Sequence, residues 1–236
     1  MAPINKVVII GAGPSGLILG IELAQAGIEV ELLDAGKELD KNPRASHYSA
    51  PACVELDRAG VLDTVREQGF FPDGVSWRLL DGSRLTGISN KDIGENSRLQ
   101  MVCLPLDRLG KILMDKISKE PKATVRWSHK VTGIGQDDSK AWVDVETPEG
   151  NQKVTADYIV GCDGANSQIR RSLFGDWNFP GWTWDKQIVA TNVSRLVLLR
   201  QMVLDLADLT TRCTTTSSST DTMTPTSSYI QITTIW

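Results

Sequence analysis

With 236 residues, 41% of them hydrophobic and 23% charged, the chain has a globular composition with room for one large or two small domains, which excludes collagenous, fibrous and wholly disordered classes. Lys and Arg total 25 against 29 Asp and Glu, a net charge of −4, and no basic block tracks along the sequence, so no nucleic-acid partner is expected. No apolar run approaches the roughly 18 residues of a membrane span, and residues 1–10 lack the cationic start and longer apolar stretch of a secretory signal, so a reducing, cytoplasmic setting without a membrane partner is expected.

The first strand is expected over residues 6–10, a short continuous apolar run suited to a parallel strand buried on both faces. Gly11-Ala12-Gly13-Pro14-Ser15-Gly16 follows, and Leu17, Ile18, Ile21 and Ala24 then recur at helical spacing. Pro14 suits a first-turn position, where its missing N–H costs nothing. Gly27 reads as the helix stop, and residues 28–33 as a second strand ending before Asp34, which completes a strand–helix–strand unit of about 30 residues.

Residues 51–68 have helical character through Val54, Val61, Leu62 and Val65, with Gly60 as a weak point. A hairpin is expected over residues 75–86, turning at Asp81-Gly82, a pair that tolerates positive φ. Residues 101–104 read as a short strand, and Leu106, Leu109, Leu113 and Ile117 mark one face of a helix. Segments 123–127, 131–134, 141–146 and 154–158 then predict a strand-rich layer, with Thr147-Pro148-Glu149-Gly150 as a turn.

Composition changes near residue 193. Between Thr210 and Ser228, 14 of 19 residues are Ser or Thr, and neither glycine after Gly181 nor glutamate after Glu149 occurs. At a glycine usage of about 7%, the last 55 residues would hold roughly four. Residues 1–193 are therefore read as one folded α/β domain, and residues 194–236 as a Ser/Thr-rich tail that is not the native continuation and is too poor in large apolar groups to offset its ordering entropy.

Within the opening unit, Gly11 permits a tight turn, Gly13 lets the backbone approach a pyrophosphate, and Gly16 lets the helix pack on the strand. The helix start offers free N–H groups and a positive dipole end to phosphates, with Pro14 and Ser15 at the turn. Asp34 lies 23 residues after Gly11, at the end of the second strand, where a carboxylate can accept hydrogen bonds from ribose hydroxyls. These residues point to a dinucleotide and leave NAD and FAD both open. The four cysteines, Cys53, Cys103, Cys162 and Cys213, lie about 50 or more residues apart with no CxxC pair, so neither a metal nor a disulfide is expected.

The string Gly11-Ala12-Gly13-Pro14-Ser15-Gly16-Leu17 resembles the start of FAD-dependent monooxygenases of the aromatic-hydroxylase type, similar to p-hydroxybenzoate and phenol hydroxylases. Tyr158-Ile159-Val160-Gly161-Cys162-Asp163-Gly164-Ala165-Asn166-Ser167-Gln168-Ile169-Arg170-Arg171 resembles that family's Asp-Gly motif, and the two in order are more specific than either alone. An apolar strand ending at Gly161 delivers Asp163 to the sheet edge where open α/β sheets bind ligands; Gly164 permits close backbone approach, and Arg170 is a rigid fork for phosphate oxygens. Pro43-Arg44-Ala45-Ser46 resembles the stretch where an arginine approaches the flavin, and Leu106-Asp107-Arg108 the helix start whose arginine reaches the FAD diphosphate. His47 and Tyr48 read as packing residues, with a place facing the flavin as the alternative.

The resemblance covers residues 4 to about 193 and implies a doubly wound, Rossmann-like FAD-binding domain with a β-rich insertion. It ends where residues 179–187 resemble the entry to the substrate sheet, so the chain is expected to be truncated before most of the substrate domain. The family's later Gly-Asp motif is missing, Gly175-Asp176 reads as a turn, and Asp34 stands in place of the more usual Glu. The implied activity is NAD(P)H-dependent hydroxylation of an aromatic small molecule, with the oxygen chemistry carried by FAD and no catalytic side chain assigned. The alternatives are a noncatalytic flavin-binding fragment and an NAD-dependent dehydrogenase whose Asp-Gly string is accidental.

Overall fold

The computed structural model describes residues 3–41, 47–79, 81–94, 97–176, 181–182 and 231–232. In order, its elements are β1 (Lys6–Ile10), α1 (Pro14–Gln25), β2 (Glu29–Leu33), β3 (His47–Tyr48), α2 (Ala50–Arg58), α3 (Leu62–Gln68), β4 (Gly74–Arg78), β5 (Arg84–Ser89), a 3-10 turn (Asn90–Ile93), β6 (Val102–Cys103), α4 (Leu106–Ile117), β7 (Ala123–Arg126), β8 (Lys130–Gln136), β9 (Ala141–Thr147), β10 (Gly150–Ala156), β11 (Tyr158–Gly161), α5 (Gln168–Phe174) and β12 (Gln231–Ile232). They fall into two units, residues 1–71 with 93–184, and residues 72–92 with 185–236.

The first unit is built on a parallel sheet of order β11-β1-β2-β7. Both faces are covered, which is why β1 reads as an uninterrupted apolar run. On one face Val7, Ile9, Val30 and Leu32 pack against Leu17 and Ile21 of α1, Leu109 and Leu113 of α4, and the inner residues of α2 and α3. Leu17, Ile21 and Leu113 are fully buried, each worth about 1.5–3 kcal/mol of transfer free energy. On the other face Val8, Ile10 and Leu33 meet Val131, Val143, Val145 and Ala156 from the antiparallel meander β8-β9-β10, together with Ile169 of α5. The strand-rich insertion thus covers the face that a fully doubly wound fold gives to helices.

Two strands differ from the sequence expectation. Residues 123–126 join the parallel sheet, not the strand-rich layer, because Ala123 and Val125 register against Val30 and Leu32 after α4 returns the chain beside β2. The apolar segment 154–158 divides at Asp157, with β10 in the meander and β11 in the parallel sheet. Asp157 makes that division: its Oδ2 accepts the N–H groups of Asn5 at 2.7 Å and Lys6 at 2.9 Å, and its own N–H donates to Lys6 O at 3.0 Å. The expected helix over 51–68 likewise divides into α2 and α3 at Gly60, whose φ of +70° ends the first helix.

In the second unit β4 and β5 form the expected hairpin, with Gly82 N–H donating to Leu79 O and Ser83 N–H to the Asp81 carboxylate. β12, two residues of the segment expected to be mostly disordered, pairs antiparallel with β4, Gln231 opposite Arg78. The rest of that expectation, on residues 194–230 and 233–236, lies outside the described residues, as do Arg44 and most of the substrate-sheet entry at residues 179–187. Among the described residues no helix is long and apolar enough to cross a membrane, and no group of three or more potential metal ligands occurs.

Candidate functional site

Parallel pairing of β1 with β11 brings the two sequence motifs to one edge of the sheet. Ile10 registers against Gly161, and the Cys162 N–H donates to Ile10 O at 2.7 Å. Gly11 leaves the sheet at φ +103°, and a Cβ there would lie 2.4 Å from Cys162 O and 3.0 Å from Asp163 N. A Cβ on Gly16 would lie 2.0 Å from Gly11 O. These glycines let the turn, the start of α1 and the Cys162–Asp163 backbone pack into one knot that no side chain could enter.

Gly13 behaves differently. It is exposed, its φ is −72°, and nothing lies within 4 Å of where its Cβ would be. It is the N-cap of α1, followed by Pro14, with no side-chain cap and no acidic residue in the first turn. The amides of Ser15 and Gly16 are among the first-turn donors that a helix leaves without intrahelical acceptors, and they sit at its positive end. An open glycine beside uncapped amides is a cradle for an anion such as a pyrophosphate.

Asp34 stands at the end of β2, half-buried, with its carboxylate against the glycine turn. Oδ2 accepts the Ala12 N–H at 2.7 Å and Oδ1 accepts the Gly36 N–H at 2.7 Å. A carboxylate has about four lone-pair sites, so ribose hydroxyls can still be accepted alongside these two. The main chain of Asp34 is also fixed: its N–H donates to Arg126 O at 2.9 Å and its carbonyl accepts the His129 N–H at 2.8 Å. Ser128, at φ +58°, donates its N–H to Gly36 O at 2.7 Å. Residues 127–129 after β7 were not singled out from sequence; their only signal is that they follow a strand which sequence placed in another layer.

Asp163 holds the start of α5. Its Oδ2 accepts the N–H groups of Gln168 at 2.6 Å and Ile169 at 3.2 Å, while Oδ1 is buried without a hydrogen-bond partner in the protein. A buried acceptor of that kind fits a further donor such as a cofactor hydroxyl. Gly164 follows at φ +79°, exposed, with nothing within 4 Å of its Cβ position. Ser167 Oγ accepts the Arg170 N–H at 3.0 Å, which places Arg170, half-buried, in the first turn of α5. The Cys162 thiol within the second motif is pushed up by burial and by the Asp163 charge.

Arg108 is exposed on α4 and lines an open cleft of about 440 Å³ with Gln68, Lys111, Ile112 and Asp115. Tyr48 packs as expected: its hydroxyl donates to Leu104 O at 3.1 Å, and burial, with the charges of Cys103 and Asp107, pushes it up to about 12. His47, exposed, pairs with Cys103 across β3 and β6. The structure thus assembles Gly11, Gly13, Pro14, Ser15, Gly16, Asp34, Asp163, Gly164 and Arg170 at the carboxyl edge of the sheet, where open α/β sheets take dinucleotides. The open glycine, the uncapped helix start and the orphaned aspartate oxygen fit FAD.

Comparison with known proteins agrees. The family model described as "FAD binding domain" matches residues 5–236. The chain is similar to para-nitrophenol 4-monooxygenase from Pseudomonas sp. strain WBC-3, with 29% identity covering 82% of this chain and 48% of that protein. It is 32% identical to 6-hydroxy-3-succinoylpyridine 3-monooxygenase from Pseudomonas putida, covering 80% of this chain and 48% of that protein. Among solved structures, p-nitrophenol 4-monooxygenase from Pseudomonas putida DLL-E4 superposes with a TM-score of 0.67 at 28% identity, over 73% of this chain and 44% of that one. The chain spans about half the length of the curated relatives it matches.

Proposed function

The chain belongs to the FAD binding domain family, and from that membership we propose that it is the FAD-binding part of an NAD(P)H-dependent monooxygenase that hydroxylates an aromatic or phenolic small molecule. The observation that carries the reading is the junction of β1 and β11, where Gly11 abuts the Cys162–Asp163 backbone and Gly13 opens beside the uncapped start of α1. The family match selects FAD over NAD. In this reading Gly13 and the Ser15 and Gly16 amides receive the diphosphate, Asp34 accepts from the adenosine ribose, and the free Asp163 oxygen accepts a flavin-side hydroxyl. Arg44, Arg108 and Arg170 are assigned to the diphosphate and flavin region on the strength of the family resemblance. Bound there, FAD would supply the redox and oxygen chemistry. The protein's part is to bind, orient and exclude water.

The relatives' names support an aromatic substrate: one acts on para-nitrophenol and another on a hydroxylated pyridine. A domain boundary near residue 193 belongs to the same proposal, and a chain ending there should bind FAD as the 236-residue chain does. The alternative reading is a flavin-binding fragment without turnover. Stopped assays of the purified chain separate the two. NAD(P)H oxidation coupled one-to-one to a hydroxylated phenol supports the enzyme. FAD binding with no hydroxylated product supports the fragment.

A further inference from the structure

The Asp34 carboxylate joins parts of the site that are distant in sequence. Through Oδ2 it holds the N–H of Ala12, in the middle of the glycine turn; through Oδ1 it holds the N–H of Gly36 in its own loop, both at 2.7 Å. Its main chain is bonded to Arg126 and His129 on either side of the loop after β7, and Gly36 O receives Ser128 N–H. Three strand-end loops thus converge on one residue, and every one of these bonds exists within the protein itself. Ala12 is only 2% exposed, so its amide has no access to water as a substitute partner.

We propose that Asp34 is a positioning residue that holds the glycine turn in its diphosphate-receiving shape before the cofactor arrives, in addition to any bond it makes to ribose. The proposal rests on the FAD reading of this edge. Charge alone makes the opposite forecast: a carboxylate beside a diphosphate repels it, so neutralising Asp34 would tighten diphosphate binding unless the carboxylate were shaping the turn. Asp34→Asn keeps the volume but replaces one acceptor with an NH2 donor, which must face the Ala12 or the Gly36 N–H.

The test uses the cofactor-free 236-residue chain, amide exchange by NMR, thermal unfolding, and inorganic pyrophosphate as a probe that carries no ribose. In the wild type the Ala12 and Gly36 amides should be protected. In Asp34→Asn at least one should exchange about tenfold or more faster, Tm should fall by roughly 3–12 °C, and pyrophosphate should bind more weakly by about threefold or more. Asp34→Glu, which keeps the charge but moves the oxygens outward, should also bind pyrophosphate more weakly than the wild type. Unprotected Ala12 and Gly36 amides in the wild type, a readout that needs no variant to fold, would overturn the proposal. So would pyrophosphate affinity unchanged or increased in Asp34→Asn. Failure of the wild type to bind FAD while these readouts hold would count against the reading of the site and leave the positioning role standing.

Discussion

Replacing each glycine of the turn by alanine should separate what holds the fold from what meets the ligand. At Gly16 the added Cβ would sit 2.0 Å from Gly11 O, about 1.4 Å inside the 3.4 Å at which ordinary contact begins. The opposing atom is backbone, so no side chain can swing away; α1 and the turn must part. Alanine would return about 0.5–1 kcal/mol of helix propensity, against overpacking of up to about 3 kcal/mol. The net loss should reach up to about 2–2.5 kcal/mol, or roughly 4–10 °C in Tm for a chain of this size. At Gly13 the added Cβ meets nothing within 4 Å, and φ −72° with ψ 177° suits alanine. That variant should lose only about 0.5 kcal/mol as a weaker N-cap, while FAD affinity falls at least about tenfold because the methyl fills the cradle. Calorimetry of the cofactor-free chains, with fluorescence titration of FAD, reads both quantities. A Gly16→Ala chain as stable as the wild type, or a Gly13→Ala chain with undiminished FAD affinity, would refute the division of roles.

Three further outcomes are expected. Burial alone would raise the Glu31 carboxyl, but the hydrogen bond and charge of Lys6, at 2.8 Å, and those of Arg126 outweigh it and hold it below the ordinary 4.5; a depressed pKa stabilises the fold above that value and is lost as pH falls through it. Glu31→Gln should therefore flatten the acid limb of a Tm–pH profile below about pH 5, and an unchanged limb would remove Glu31 from the acid response. Asp163→Ala should leave the Ser167 N-cap in place but strip the Gln168 and Ile169 N–H groups of their acceptor, lowering Tm by an amount equivalent to about 1–3 kcal/mol, and should weaken FAD binding as well; loss of stability with full affinity would confine Asp163 to holding the start of α5. Burial pushes the Cys103 thiol up to about 11 and raises that of Cys53, so mass spectrometry should find both unmodified after maleimide treatment of the folded chain at neutral pH, and rapid labelling of either would contradict their burial.

The opening of the chain was legible because its signals are local. A continuous apolar run, three glycines, a helical repeat and an acid after the second run appear within 34 residues, and each constrains the same strand–helix–strand unit. Sheet membership is not local. Residues 123–126 look like any short strand, and only register with β2, about ninety positions earlier, puts them in the parallel sheet. The break at Asp157 depends on two amides at the other end of the domain, those of Asn5 and Lys6. For Asp34 the sequence showed an acid at the right distance; that its oxygens turn to Ala12 and Gly36 follows from the shape of the turn and one methylene fewer than Glu. The start of α4 could be read from its apolar face, but the cleft that Arg108 lines with Gln68 and Lys111 could not.

The central claim is that this chain receives FAD at the carboxyl edge of its β11-β1-β2-β7 sheet. Calorimetric titration of the cofactor-free chain with FAD and, separately, with NAD tests it most directly, repeated on Gly13→Ala to locate the binding. The account predicts one FAD site, weakened by that substitution, and markedly poorer binding of NAD. Tight binding of NAD with none of FAD would contradict it.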